Sequence, residues 1–375
     1  MDNRLLRIEL AGYKSIADAA LELRDTNVLI GANGAGKSNL ISFFRLLNSL
    51  CSGHLQAFIG EELGGANSAL HFGAKRNREI EAKLTFAGKT GENRYRMRLA
   101  YGAGDRLLFL DEDIQYRKND SSWETAPVYS LGAGHFESLL RGAKKDVGGR
   151  ELPKSTPGVI HHLMANWRVF QFHDTSRTAR IKQPFYADNK DYLWPDAGNL
   201  AAFLLFLRET APLTYQAVIE TIRRVLPAFS DFVLSPHPTT RNVVLNWSHR
   251  GSDEVFGPHQ LSDGSLRFMA LATLLLQTAP PPLILLDEPE LGLHPFGVEI
   301  LAALLRSASK VSQVVLSTQS VTLANQFRPQ DIVVVDHVEG ASRFRRLEES
   351  DFSDWLADYG IGDLWAKNLL GGTPE

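Results

Sequence analysis

The residues with the clearest chemistry are 31–38, whose sequence Gly-Ala-Asn-Gly-Ala-Gly-Lys-Ser has the G-x-x-x-x-G-K-S spacing of a phosphate-binding P-loop. Its glycines let successive backbone N–H groups converge on a β-phosphate, where a Cβ would obstruct the turn. The amine of Lys37 supplies a positive charge for the β- and γ-phosphates, and the Ser38 hydroxyl is suited to hold Mg²⁺. We therefore expect ATP and Mg²⁺ as cofactors, with nucleotide contacts from Asn33, Gly34, Ala35, Gly36, Lys37, Ser38 and Asn39.

The residues on either side of this loop predict the elements that hold it. Val28-Leu29-Ile30 is a short apolar run typical of a buried strand, and the residues from Asn39 to Leu47 have an amphipathic helical pattern. The N-terminus of such a helix points at the loop, as an anion site requires. Because strand, loop and helix are all present, we interpret the match as a nucleotide site and not as a fortuitous glycine-rich turn.

A pair of carboxylates follows another apolar run. Leu283 to Leu286 predicts a buried strand, and Asp287 and Glu288 come directly after it, which is the form of a Walker B motif. A buried strand delivers Asp287 to the carboxyl edge of a sheet, where we expect it to hold Mg²⁺. Glu288 lies one residue further along and can orient or deprotonate the attacking water. The alternative is that the two carboxylates only begin a turn before Pro289.

Three segments carry a resemblance to a known family. Leu261-Ser262-Asp263-Gly264-Ser265 resembles the signature motif of ABC-type ATPases, and residues 286–295 look like the Walker B motif and D-loop of the RecF/SMC-like branch. Ser317-Thr318-Gln319-Ser320 occupies the place of the switch in that branch. The motifs span nearly the whole chain, which is similar to small stand-alone bacterial ATPases that are RecF/SMC-like although they are named AAA family.

The resemblance implies a homodimer that encloses two ATP molecules. In ABC ATPases the signature of one subunit covers the γ-phosphate bound by the P-loop of another, so Ser262 and Gly264 would contact ATP in trans. Ser262 also has the residue type of an N-cap for the helix that follows, and both roles can hold together. Catalysis would depend on Glu288, Lys37 and Gln319, the last of which stands where the switch commonly has a histidine and cannot carry charge.

Three more residues are interpreted through the same resemblance. Asp263 stands where the signature usually has a second glycine, so its carboxylate should point away from the γ-phosphate. Lys14 would flank the adenine or contact a phosphate, and a solvated lysine is the alternative. Gln171 lies where a Q-loop is expected and would sense Mg²⁺ or the attacking water, although it alternates with Phe170 and Phe172 as an ordinary strand residue does.

The composition bounds the class of protein. With 375 residues, 44% of them apolar, the chain can bury a large core, and its formal net charge of −3 gives no global basic field of the kind that marks a nucleic-acid coat. Cys51 is the only cysteine, which excludes an internal disulfide and a cysteine-based metal cluster. The N-terminus is charged from Asp2 onward, and no apolar stretch reaches the ~18–20 residues of a membrane span. We expect a soluble cytoplasmic protein without a membrane partner.

Patterns along the chain predict an α/β fold, and the resemblance implies that it is of the ABC-ATPase head type. It has a mixed or parallel P-loop sheet core, an N-terminal antiparallel β meander and a helical signature lobe. Period-two alternation over 79–117 predicts the meander, whereas residues 60–75 and 141–157 have the composition of loops. From residue 283 onward strands and helices alternate, as in a parallel sheet covered by helices. Helical periodicity appears before that, at 158–167, 199–210, 212–226 and 262–279.

The motifs also predict two lobes. The nucleotide-binding lobe covers 1–130 and 280–375 and contains the P-loop, the Walker B motif and the switch. The helical lobe covers 131–279 and carries the signature motif.

The function hypothesis is an ATP-binding and hydrolysing ABC-type ATPase that dimerises around ATP. It would act in DNA maintenance and repair or in anti-phage defence and control a separate effector protein. DNA is a further partner that this hypothesis names, although solvated arginines on strand faces are the alternative for each basic cluster. The candidate DNA contacts are Lys75, Arg76, Arg78, Arg94, Arg96, Arg98, residues 177–182, Arg343, Arg345 and Arg346. Two other functions stay open: a regulatory scaffold that binds ATP with little turnover, and the nucleotide-binding subunit of a transporter.

Overall fold

The computed structural model describes residues 4–153, 156–348, 350 and 359–372, so the charged N-terminus at Asp2 lies outside the described residues. The chain folds as two units. Unit 1 is Met1–Arg168 with Arg328–Glu375, and it contains the P-loop. Unit 2 is Val169–Phe327, and it contains the signature, the Walker B motif and the switch. The two lobes that the sequence predicts, with their boundaries near 130 and 280, stay a prediction.

Strands and helices both occur throughout the described chain. The strands are β1 (Leu5–Tyr13), β2 (Ile16–Glu22), β3 (Thr26–Ile30), β4 (Glu79–Ala87), β5 (Gly91–Gly102), β6 (Arg106–Lys118), β7 (Val128–Gly132), β8 (Arg168–Phe170), β9 (Phe185–Tyr186), β10 (Phe229–Val233), β11 (Asn242–Val243), β12 (Asn246–His249), β13 (Val255–Phe256), β14 (Leu283–Asp287), β15 (Gln313–Thr318), β16 (Ile332–Val338) and β17 (Ala341–Arg346). The α-helices are α1 (Lys37–Ser52), α2 (Leu55–Glu61), α3 (Ala66–Ala69), α4 (Thr156–Asn166), α5 (Leu200–Thr210), α6 (Pro212–Val225), α7 (Asp263–Leu276), α8 (Pro295–Ala308), α9 (Val321–Ala324) and α10 (Ile361–Ala366).

The antiparallel sheet of unit 1 has the strand order β2-β1-β4-β5-β6-β7. Successive side chains of a strand point to opposite faces, and the apolar residues of β4 from Ile80 to Phe86 therefore share one buried face. In the register of the sheet, Ala82 lies opposite Met97 of β5, which is also buried. The predicted antiparallel meander over 79–117 is confirmed, and β7 extends it by one strand.

Three strands of a mixed sheet belong to unit 1 and carry the P-loop. β3 pairs in parallel with β16, which pairs in the antiparallel sense with β17. Every residue of β3 is buried, as the apolar run predicts. Helix α1 follows the loop and buries one face, including Leu40, Phe43 and Leu47. Its far end is held to α4 through Asn48, whose side-chain amide donates to the carbonyl of Met164 at 3.1 Å.

Unit 2 is built around parallel strands and the signature helix. β14 pairs in parallel with β15, so that Asp287 lies opposite Ser317 at the carboxyl ends of both strands. Helix α7 packs against α6 and α8, and most of its residues from Leu266 to Leu275 are buried. A separate three-stranded sheet has the order β10-β12-β13.

The predicted helices are found within a few residues of their predicted bounds, and the alternating elements after residue 283 are confirmed. The loop predicted for 60–75 is wrong in part, because α3 forms a single helical turn there. Residues 154 and 155 of the predicted loop at 141–157 lie outside the described residues. Within the described residues no helix has both the length and the apolar character that crossing a membrane requires.

Candidate functional site

The P-loop of unit 1 connects β3 to α1 and has the backbone of an anion site. Gly34 and Gly36 have φ values of +80° and +113°, a region that L side chains rarely adopt, and α1 begins directly after Gly36. Lys37 is buried, and its Nζ donates to the carbonyl oxygens of Gly31 at 2.6 Å and Ala32 at 3.0 Å. The lysine amine is therefore held over the loop at the positive end of a helix, where a phosphate would be favoured.

Two residues next to the loop make contacts that the sequence does not predict. Lys14 has a φ of +48°, and its Nζ donates to Ser42 Oγ of α1 at 3.0 Å. Burial, together with the nearby charge of Arg45, lowers the pKa of Lys14. The side-chain amide of Asn39 donates to Ser15 Oγ at 2.6 Å. The nucleotide contacts assigned to Lys14 and Asn39 stay predictions.

The Walker B carboxylates of unit 2 lie against the switch. Ser317 Oγ donates to Asp287 Oδ1, and the Glu288 backbone N–H donates to the Ser317 carbonyl oxygen at 3.1 Å. Glu288 has a φ of +44°, which is uncommon for a residue with a side chain and often marks a functional site. The amide of Gln319 donates to Glu288 Oε1. The structure therefore brings the predicted base and the predicted switch residue into direct contact.

A second glutamate in this region was not singled out by the sequence. Glu290 is buried, and its Oε1 accepts hydrogen bonds from Thr318 Oγ1 and, at 3.2 Å, from the Gln319 backbone N–H. Its Oε2 has no hydrogen-bond partner in the described part of the chain. Burial, and to a lesser extent the charge of Glu288, raises the pKa of Glu290. Glu290 thus ties the D-loop to the switch through a carboxyl group that is costly to ionise.

The signature motif forms the start of α7. Ser262 is the N-cap, and its Oγ accepts a hydrogen bond from the Ser265 backbone N–H at 3.1 Å. The Asp263 carboxylate faces Lys182 Nζ at 3.7 Å. Gly264 packs against the D-loop so closely that a Cβ on it would lie 2.2 Å from the Gly292 carbonyl oxygen. The roles of Ser262 and Gly264 at a γ-phosphate in trans stay predictions.

Arg267, one turn into α7, joins three segments of unit 2 that sequence reasoning treated separately. Its guanidinium donates to the carbonyl oxygens of Phe172, His173 and Leu291, at 3.1, 2.9 and 2.9 Å. His173 in turn lies 2.8 Å from the Asp287 carbonyl oxygen through its Nε2. The signature helix, the predicted Q-loop and the D-loop are therefore connected through one side chain.

Gln171 follows directly after β8 and is exposed. Its backbone N–H donates to the Pro195 carbonyl oxygen at 3.0 Å. Its predicted contact with a metal ion stays a prediction.

Several arginines that the sequence assigns to DNA have partners in unit 1. Arg96 pairs with Glu81 at 3.3 Å and with Asp113 at 3.6 Å. Arg98 pairs with two carboxylates of the neighbouring strands at 2.8 and 2.9 Å. The Arg346 guanidinium is bound to the Glu22 carbonyl oxygen at 2.7 Å and to two further acceptors, and burial lowers its pKa to about 10. Its role as a DNA contact stays a prediction.

The fold and these motifs define an ABC-type ATPase of the RecF/SMC-like branch. A family model described as "AAA domain, putative AbiEii toxin, Type IV TA system" matches residues 26–325. Because this match includes the P-loop, the signature, the Walker B motif and the switch, the chain belongs to that family.

The solved structures that resemble this chain support the same fold. An SMC head bound to the C-winged helix domain of ScpA is 18% identical, with a TM-score of 0.61, and the match covers 93% of this chain and 99% of that one. The Pyrococcus furiosus Smc head, with an extended coiled coil and bound to the C-terminal domain of ScpA, is 16% identical with a TM-score of 0.58, covering 95% and 99%. At these identities the similarity shows the fold alone.

One curated relative matches over a short region. The protein of Streptomyces coelicolor named "Putative ABC transporter ATP-binding protein SCO2324" is 34% identical over 100 residues. The match covers 26% of this chain and 17% of the length of that relative.

Proposed function

We propose that this chain binds and hydrolyses ATP. The observation that carries the proposal is the P-loop, where two glycines in left-handed conformations and the buried amine of Lys37 meet at the N-terminus of α1. This combination of backbone N–H groups, helix dipole and lysine is suited to a triphosphate.

The residues available for a metal ion fit Mg²⁺ in their chemistry. Ser38 offers a hydroxyl oxygen and Asp287 a carboxylate oxygen, which are the hard ligands that Mg²⁺ prefers. Ser38 and Asp287 belong to different units, so their joint role is proposed from the motifs. When bound, Mg²⁺ would neutralise charge on the phosphate oxygens.

Glu288 is the residue that we propose as the general base. It would accept a proton from the attacking water, and the Gln319 amide on its Oε1 would fix its orientation. Lys37 would hold the β- and γ-phosphates.

Phosphate release tests this proposal. Lys37→Ala should abolish ATP binding, whereas Glu288→Gln should bind ATP and lose at least ~100-fold in turnover, the scale of general-base catalysis. Glu299→Gln, an exposed glutamate of α8, is the matched control and should keep wild-type turnover. Equal turnover in Glu288→Gln and Glu299→Gln would remove Glu288 from the mechanism.

We further propose an ATP-linked homodimer that controls a separate effector protein. Lys37 of one protomer and Ser262 and Gly264 of its partner would enclose each triphosphate. Ser262 is exposed, which supports a role toward a second chain. The SMC heads of similar fold were solved bound to ScpA domains, which supports an effector of this chain. Light scattering of Glu288→Gln with and without ATP tests the dimer, and pull-down with the ATP-loaded variant tests the effector.

For the pathway we propose DNA maintenance and repair or anti-phage defence, which the family description supports through its mention of a toxin system. Of the basic clusters, Lys75, Arg76 and Arg78 are exposed and stay candidates for DNA phosphates. ATP-loaded Glu288→Gln should retain DNA with an affinity that falls steeply as salt rises. Lys75→Glu and Arg78→Glu should weaken this retention, whereas Arg98→Ala should not, because Arg98 is already paired. Retention that is absent at low salt would exclude DNA as a partner.

The regulatory scaffold is the second candidate, and the Gln319–Glu288 contact favours it. The Gln319 amide occupies one oxygen of Glu288 and so restrains the proposed base. Gln319 is also uncharged, so it cannot stabilise the negative charge of a phosphate as a protonated histidine does. This candidate would be supported if the wild type turned over ATP only at a trace rate and Glu288→Gln had the same rate. The transporter alternative is supported only by the name of the partly matching relative. Co-purification with a multi-span membrane protein would favour it.

A further inference from the structure

Two serines from outside the motif, Ser342 and Ser15, form a hydrogen-bonded chain that ends on the backbone of the P-loop. Ser342 of β17 is fully buried, and its Oγ donates a hydrogen bond to the Ala35 carbonyl oxygen at 2.6 Å. Ser15, between β1 and β2, has its Oγ 2.7 Å from Ser342 Oγ. Asn39 Nδ2 donates to Ser15 Oγ at 2.6 Å. The backbone N–H of Ser342 also donates to the Ser15 carbonyl oxygen at 2.7 Å, so both serines are fixed in place.

We call the hydrogen-bonded chain from Asn39 through Ser15 and Ser342 to the Ala35 carbonyl oxygen the serine relay. Its hydrogen bonds all run in one direction. The amide nitrogen of Asn39 can only donate, so Ser15 Oγ accepts from it. Because Ser342 Oγ donates to Ala35, Ser15 must be the donor between the two serines. Each hydroxyl then accepts one hydrogen bond and donates another, and such chains strengthen each other by polarisation. The serine relay thus links the loop at Ala35 to the first turn of α1 at Asn39.

The serine relay also orients one peptide of the P-loop. In a trans peptide the Ala35 C=O and the Gly36 N–H point in opposite directions. Since Ser342 holds the carbonyl on the β17 side, the Gly36 N–H is turned away from β17. A side chain at Gly36 is excluded by the same two serines, because a Cβ would lie 1.9 Å from Ser342 Oγ and 2.8 Å from Ser15 Oγ. The positions of the two serines therefore require a glycine at residue 36.

We propose that Ser342 and Ser15 are positioning residues for triphosphate binding, which hold the Gly36 N–H in the orientation that donates to the phosphates. This inference rests on the proposed function, because it needs a phosphate ligand. The proposed base and the switch belong to unit 2, whereas both serines belong to unit 1. We therefore expect the loss of either serine to weaken ATP binding and to leave the chemical step largely intact.

The test compares ATP affinity with turnover in serine variants. Ser342→Ala and Ser15→Ala should each raise the ATP Kd and KM about tenfold, the equivalent of ~1.4 kcal/mol, with kcat within about twofold of the wild type. Ser342→Thr, which keeps a hydroxyl, should recover most of the affinity. The matched control is Ser138→Ala in the same unit, which removes a hydroxyl that donates to the buried Glu112. It should lower the melting temperature and leave the ATP Kd unchanged.

The outcomes separate this inference from the proposed function. If Lys37→Ala abolishes ATP binding but both serine-to-alanine variants bind ATP within twofold of the wild type, the serine relay has no positioning role and the proposed function stands. If the wild type does not bind ATP, the proposed function fails and the inference fails with it. If Ser342→Ala does not fold, Ser15→Ala decides by the same affinity criterion.

Discussion

Replacing Gly264 by alanine tests how the signature motif is built. In the structure an added Cβ would lie 2.2 Å from the carbonyl oxygen of Gly292, whereas ordinary van der Waals contact begins at 3.4 Å. The obstructing atom belongs to the backbone of the D-loop and cannot rotate away. The start of α7 and the D-loop must therefore move apart in the variant.

The loss of stability in Gly264→Ala depends on two opposing contributions, the overpacking at residue 264 and the higher helix propensity of alanine. Overpacking of this kind costs about 1–3 kcal/mol, and the better helix propensity of alanine returns about 0.5–1 kcal/mol. We expect a net destabilisation of roughly 1–2 kcal/mol, which lowers the melting temperature by about 2–8 °C for a unit of this size. ATP turnover should fall at least ~10-fold, because misplacement near a reacting centre by about 1 Å costs up to 100-fold.

Gly297→Ala is the matched control for this substitution. Gly297 is buried in α8 of the same unit, but a Cβ there would lie 3.4 Å from Val225 Cγ1 and 3.7 Å from Leu293 Cβ, which are ordinary contacts. It should keep or slightly raise the melting temperature and keep turnover.

The melting temperature and the ATP turnover together distinguish a packing role of Gly264 from a contact between Gly264 and phosphate. If Gly264→Ala loses turnover but melts like the wild type, Gly264 acts only on the ligand. If it keeps both turnover and melting temperature, the close approach to Gly292 has no consequence and the packing argument is refuted.

Three further predictions concern stability. Burial raises the pKa of Glu290, so the wild type should lose stability as pH rises through that raised value, and Glu290→Gln should remove this pH dependence in melting curves from pH 5 to 8. Arg346→Met removes three hydrogen bonds to oxygen acceptors and should lower the free energy of unfolding in urea by about 2–4 kcal/mol, whereas the exposed Arg343→Met should change it by less than ~0.5 kcal/mol. Ser262→Ala removes the N-cap of α7 and should cost ~1 kcal/mol in the same assay, while Ser262→Asn should cost little.

The parts of the site that the sequence predicts are those that a few adjacent residues determine. The P-loop needs its glycines and its lysine at fixed spacing, so residues 31–38 predict both the turn and the helix after it. The same holds for the Walker B strand, where an apolar run ends at Asp287. Ser262 was predicted as an N-cap from its place before an apolar helix, and the structure has that hydrogen bond.

The sequence could not predict contacts that depend on the register between distant strands. Period-two alternation put Arg96 and Arg98 on one face of β5, but the partners depend on which residues of β6 lie opposite. The register places Asp113 opposite Arg96 and Asp111 opposite Arg98, so these arginines are paired within the sheet. For the same reason Ser342 gave no signal, since its partner Ala35 lies 307 residues away in the chain.

The switch and the D-loop meet at one buried carboxyl group, and this makes their positions depend on each other. Glu290 holds the backbone N–H of Gln319 and the hydroxyl of Thr318, while the side chain of Gln319 donates to Glu288. A movement of the D-loop that displaced Glu290 would shift the backbone of Gln319 and with it the donor on the proposed base. The rate of hydrolysis should therefore follow the position of the D-loop, because that position decides whether the Gln319 amide stays on Glu288.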